Sequence, residues 1–133
     1  MTVLIARRWT MLQSKVFPLT PYTPLLIVLV GDASGEEIHA YLKRRYRLDV
    51  PKFKQVGKDW AGASFRHGQD FVFVWVRFLR NKDDHELVCH EAFHATCRVM
   101  KIASVKKLVK ENEECWAYLL GYIVNCVLTW RRK

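Results

Sequence analysis

Residues 25–30 read LLIVLV, six apolar positions without interruption and rich in β-branched side chains, which predicts a buried strand. The polar stretch GDASGEE follows, in which Ser34 and Glu37 have capping-box spacing and open a helix through about Tyr46. LDVPKFKQVGKDW then reads as loop. ASFRHGQDFVFVWVRF reads as a hairpin, with its turn at HGQD and a second strand from Phe71 to Phe78. Upstream, prolines at 18, 21 and 24 mark an irregular connection after an N-terminal segment that suits a strand or a short helix. Downstream, Asp83 and Asp84 cap a helix expected to run to about Lys101, and Asp83 with Glu86 repeats the capping-box spacing. A last helix is expected from about Asn112 to Trp130, and IASVKKLVKE before it suits either a loop or an extra helical turn. The sum is an α+β fold, a small and partly antiparallel sheet packed on helices.

Composition narrows the class. A chain of 133 residues, half of them apolar or aromatic, has the size of one domain (1–133) and enough apolar surface for a real core. No window approaches the roughly 18 apolar residues a membrane span needs. The opening MTVLIARRWTMLQSKVF lacks a continuous apolar region with a cleavage site, so a cytoplasmic location is expected. The four cysteines show no metal-finger spacing and are read as reduced thiols, most of them small core residues. Lys and Arg exceed Asp and Glu by 22 to 13, a formal charge of +9 that raises the expectation of a polyanionic partner such as nucleic acid. The basic residues are scattered, however, and no nucleic-acid motif organises them, so a solvated basic surface is the preferred reading.

The chemistry concentrates in HELVCHEAFHATC at 85–97. Residues 90–94, His-Glu-Ala-Phe-His, satisfy H-E-x-x-H. On a helix, residues four apart stand about 40° apart and one turn apart in height, so two imidazoles can converge on one ion. Zinc suits imidazole nitrogen and, in catalytic sites, keeps one position for water. Glu91 points about 100° from His90, near an ion without ligating it, and there it can take a proton from the activated water. The alternative is an amphipathic helix. Val88, Ala92, Ala95, Thr96, Val99 and Met100, with Phe93 at one edge, form an apolar arc opposite His90, Glu91, His94 and Arg98. Cys97 shares the histidines' face, His85 reads as an exposed first-turn residue, and Cys89 as core.

Two histidines leave a catalytic zinc site short of a ligand. In ENEECWAYLLGYIVN, Glu114, Ala117, Tyr118, Gly121 and Asn125 share one helical stripe. Small residues after a carboxylate suit close approach to a neighbouring helix, so Glu114 is a candidate third ligand. Glu111, Glu113 and Glu114 equally suit the positive end of a helix dipole.

HEAFH followed twenty residues later by EECWAYLLGYI resembles the minimal gluzincin metallopeptidases, and in particular small proteins encoded in tailed phages and prophages. The resemblance covers about residues 85–125. It implies Zn2+ held by His90, His94 and Glu114, with Glu91 as general base. It also implies a peptide or protein substrate and a sheet edge beside the HExxH helix, for which FVFVWVRF is the candidate strand. No residue matches the transition-state donor of larger relatives; Tyr118, Tyr122, His67 and Arg66 are the candidates. Two function classes follow. One is a zinc-dependent metallopeptidase, and the other a phage accessory or structural protein with a structural or vestigial zinc site and a protein or nucleic-acid partner.

Overall fold

The computed structural model describes residues 11–78 and 84–132. Four strands and three α-helices occur among them. In chain order these are β1 (Gln13–Pro18), β2 (Leu25–Val30), α1 (Gly35–Tyr46), β3 (Gly62–His67), β4 (Phe71–Val76), α2 (Asp84–Ile102) and α3 (Glu113–Arg132). Short 3-10 turns at Pro51–Gln55 and Lys110–Asn112 interrupt the two long connections. The strand order is β1-β2-β4-β3. β1 and β3 run antiparallel to their neighbours, whereas β2 and β4 are parallel. The fold is therefore α+β around a small mixed sheet.

The unbroken apolar run of β2 has a direct cause: both faces of its sheet are covered. Leu26, Val28 and Val30 join Val72, Val74 and Val76 of β4 against α2 and α3. Ile27 and Leu29 join Phe73 and Trp75 against α1 and the 51–55 turn, where Phe53 is fully buried. Because side chains alternate along a strand, every residue of these two central strands except the exposed Leu25 feeds one core or the other.

The helix ends follow local chemistry. At the start of α1, Ser34 Oγ accepts from the Glu37 amide at 3.1 Å and Glu37 Oε1 accepts from the Ser34 amide at 3.0 Å, a complete capping box. Arg47 closes the helix in the left-handed conformation, at φ 58°. The Asp83 cap expected for α2 lies outside the described residues, as does the segment 1–10. FVFVWVRF was expected at the sheet edge, but β4 lies between β2 and β3 and has no free edge. Its continuous hydrophobicity suits that interior place, and β3 is the edge beside it. None of the described helices is long and apolar enough to cross a membrane.

Candidate metal centre

α2 lies against β3 and β4 on one flank and α3 on the other. Its buried stripe is Val88, Ala92, Ala95, Thr96, Val99 and Met100, the expected arc. Glu91 departs from expectation. It was placed on the polar face, but it is only 4% exposed and turned toward the start of β3. Gly62 permits this approach. A Cβ there would stand 2.8 Å from the Trp75 carbonyl oxygen and 3.1 Å from Cγ of Glu91. No larger residue fits without moving the strand pair or the glutamate.

His90 and His94 sit one turn apart on the exposed side of α2, their ring centroids 4.8 Å apart. Their Nε2 atoms are 3.2 Å from each other. Two nitrogens bound about 2.0–2.1 Å from a tetrahedral ion lie roughly 3.3–3.4 Å apart, so the pair is spaced to share one. The same separation also suits an N–H of one ring donated to the lone pair of the other. Oε1 of Glu91 lies 3.9 Å from His90 Nε2. The donor atoms of His90, Glu91 and His94 all fall within 4.8 Å of one another, which makes them a group able to hold a metal ion.

The electrostatics suit that use. Burial lowers the pKa of His94, and His90 and Arg98 lower it further, which favours the neutral ring whose lone pair can bind a metal. Burial raises the Glu91 pKa, against the opposing pull of His90 and Arg98. Oε2 of Glu91 is buried and has no hydrogen-bond partner among the described residues. A carboxyl in this state holds its proton more readily than one in water.

Glu114 does not join the group. On α3 the large apolar residues Trp116, Leu119, Ile123 and Val127 face the core, whereas Glu114, Ala117, Tyr118, Gly121 and Asn125 are exposed. A Cβ on Gly121 would meet nothing within 4 Å. The small-residue stripe was expected to draw α3 against the histidine helix. It instead faces solvent, because burying the larger apolar side chains removes far more surface from water. Glu114 is exposed on α3 and is not one of the three residues of the metal-holding group.

Other expectations divide. His85 is exposed on the first turn of α2, as expected. Cys89 was expected in the core but is exposed, and Cys115 is exposed too, so only Cys126 among the four cysteines is buried. Cys97 is half-buried and outside the metal-holding group. Of the candidate donors, Tyr118 is 75% exposed on the outer stripe of α3, and Tyr122 donates to the Pro18 carbonyl at 2.7 Å. The residues that sequence reading missed are Arg98 and Ser64. Arg98 donates from Nε at 3.2 Å and from Nη2 at 2.8 Å to the Ser64 carbonyl of β3. Its place four residues after His94 was a signal, but nothing in the sequence sets β3 beside it.

A cavity of about 590 Å3 opens on the other side of the sheet, lined by Asp32, Glu37, Tyr41 and Arg44 among others. Its acids are already engaged, Asp32 with Arg77 and Glu37 in the helix cap. No family model, curated protein or solved structure matches this chain.

Proposed function

We propose that His90 and His94 hold a divalent metal ion, zinc by the character of the donors, in a site that hydrolyses peptide bonds with Glu91 as general base. The observation that carries this reading is the 3.2 Å between the two Nε2 atoms, close to the spacing of nitrogens around a tetrahedral ion. When bound, such an ion polarises a carbonyl and lowers the pKa of a coordinated water. The chain's own residues do the rest. His90 and His94 present their ring nitrogens on one side of α2. Glu91, buried against β3 with its pKa raised, accepts a proton and returns it to a leaving amine more readily than a solvated glutamate.

The exposed position of Glu114 favours a second reading, that of an accessory or structural protein that holds metal without turnover. Two histidines and one buried carboxylate leave the ligand sphere open to solvent or to a partner's side chain. Elemental analysis under non-chelating conditions tests both. The expected outcome is about one zinc per chain, lost in His94→Ala and kept in Glu91→Gln, with peptide hydrolysis absent from Glu91→Gln. A wild-type protein that carries no transition metal overturns both readings. Biological activity that survives Glu91→Gln but not His90→Ala selects the second.

A further inference from the structure

Beside the histidine pair, the described structure places two arginines that form no ion pair with a carboxylate among the described residues. Arg98 stands one turn beyond His94 and is fixed by its two hydrogen bonds to the Ser64 carbonyl. Arg66 lies two residues further along β3, on the same strand face as Ser64 and about 6.6 Å away along the strand. Burial is the main influence disfavouring the charge on Arg98, Arg66 adds to it, and Cys97 and Glu91 oppose it. Among the described residues neither forms an ion pair; Glu91 acts on Arg98 only at longer range. Arg66 also lines a cavity of about 460 Å3 with Lys52, His67 and Gln69, whose lining includes no acidic residue. Ser64 Oγ, in a residue 5% exposed, is buried without a hydrogen-bond partner among the described residues.

Two arginines without an ion-pair partner repel one another, and an anion between them relieves that repulsion. The planar fork of an arginine matches a carboxylate, with which it makes short, charge-assisted hydrogen bonds. We propose that Arg98 and Arg66 form a carboxylate-recognising wall of the His90/His94 site, and that the ligand is a peptide held by its free C-terminal carboxylate. This rests on the proposed metal site for its meaning as substrate recognition, but the wall itself needs no metal. In this arrangement Arg98 keeps Nη1 for the ligand while Nε and Nη2 hold β3. Arg66 meets the anion from the mouth of the cavity.

The test uses the full chain stripped of metal, so neither zinc affinity nor hydrolysis enters the readout. Calorimetric or NMR titrations compare acetyl-Ala-Ala with a free carboxylate, its C-terminal amide, acetyl-Ala-Glu-amide and inorganic phosphate. Wild type is expected to bind the free acid at least about tenfold more tightly than the amide, a preference worth one arginine–carboxylate pair. Arg66→Gln, at a half-buried position next to the end of β3, is expected to abolish most of that preference. Arg98→Lys, which retains the charge but loses the fork, is expected to reduce it. Arg66→Gln leaves the Arg98 bonds to β3 in place, so its folded state is checked by circular dichroism in the same samples.

Equal affinity for free acid and amide overturns the proposal, as does a preference that Arg66→Gln leaves untouched. Tighter binding of phosphate than of the free acid overturns it too. Affinity for acetyl-Ala-Glu-amide equal to that of the free acid supports the wall and assigns the carboxylate to an acidic side chain. A carboxylate preference in a protein that takes up no zinc separates this inference from the metal reading. Zinc uptake with no such preference separates them in the other direction.

Discussion

The two faces of the sheet are built from the same strands yet treat polar atoms in opposite ways. On the α1 face the core is aromatic: Phe53 meets Phe65 and Phe73 edge-on, with ring centroids 4.8 and 5.6 Å apart. Polar groups there are paired. Trp75 Nε1 donates to the Gly31 carbonyl at 3.0 Å, His39 meets Asp49 at 2.7 Å, and Ser14 joins the hydroxyls of Tyr41 and Tyr46. On the α2/α3 face the core is valine-rich. All three buried side-chain atoms that lack partners among the described residues, on Ser64, Glu91 and Trp116, belong to this side. An unpaired buried polar group costs about 1–3 kcal/mol, so one face is arranged for stability and the other tolerates that cost on the side that carries the candidate metal group.

The comparison can be broken from either side, and the aromatic face offers the largest effect. Phe53→Ala removes a fully buried ring between two aromatic neighbours and is expected to cost about 3–5 kcal/mol in urea denaturation. A loss below about 1 kcal/mol would show that this face does not carry the stability assigned to it. Gly62→Ala comes next. Its methyl would overlap the Trp75 carbonyl and press on Glu91, so a loss of about 1–3 kcal/mol is expected with a displaced glutamate. Unchanged stability together with an unchanged metal affinity would mean that α2 and β3 stand further apart than described.

Glu91→Gln has the opposite sign. In metal-free protein at pH 7 it removes a buried carboxylate whose charge the interior disfavours, and thermal unfolding is expected to show a gain of about 1 kcal/mol. A clear loss instead would show that the carboxylate is satisfied in the folded protein.

On the paired face, the hydrogen bond from His39 lowers the Asp49 pKa, with neighbouring Lys43 and Lys54 adding to it. A depressed carboxyl stabilises the fold above its unfolded pKa, and the contribution disappears as pH falls through the folded one. Asp49→Asn should therefore be slightly less stable than wild type at pH 7 and indistinguishable from it at strongly acid pH. A gap that widens on acidification contradicts the assignment. Smallest of all, Glu114→Ala is expected to change neither stability nor zinc content, since the residue sits on the solvent stripe of α3. Loss of metal in that variant would restore Glu114 to the ligand set and require α3 to rotate.

Much of the secondary structure was legible because local chemistry decides it. The run 25–30, the Ser34/Glu37 box and the turn after His67 each act over a few residues, and each element formed where its pattern lay. The His90/His94 spacing is equally local, since four residues on a helix place the two rings on one side whatever surrounds them. Periodicity also separated the two stripes of α3 correctly, but it could not say which one faces inward. Glu114 with its small residues looked like a packing surface, and only the competition with Trp116, Leu119 and Ile123 for the core settled the matter. Cys89 was misjudged for a related reason: an apolar-side position near a helix end is buried only if something lies over it.

What the sequence by itself determined is most of the elements and the pair of imidazoles, because both depend on separations of two to four residues, whereas the segment that became β1 suited a strand or a short helix. What only the tertiary structure decided is the company they keep. β4 became an interior strand, Glu91 was buried against Gly62, and Arg98 came to rest on Ser64, 34 residues away in the chain. Contacts of that range form through the joint burial of two sheet faces, a property of the whole chain that no short window of sequence contains.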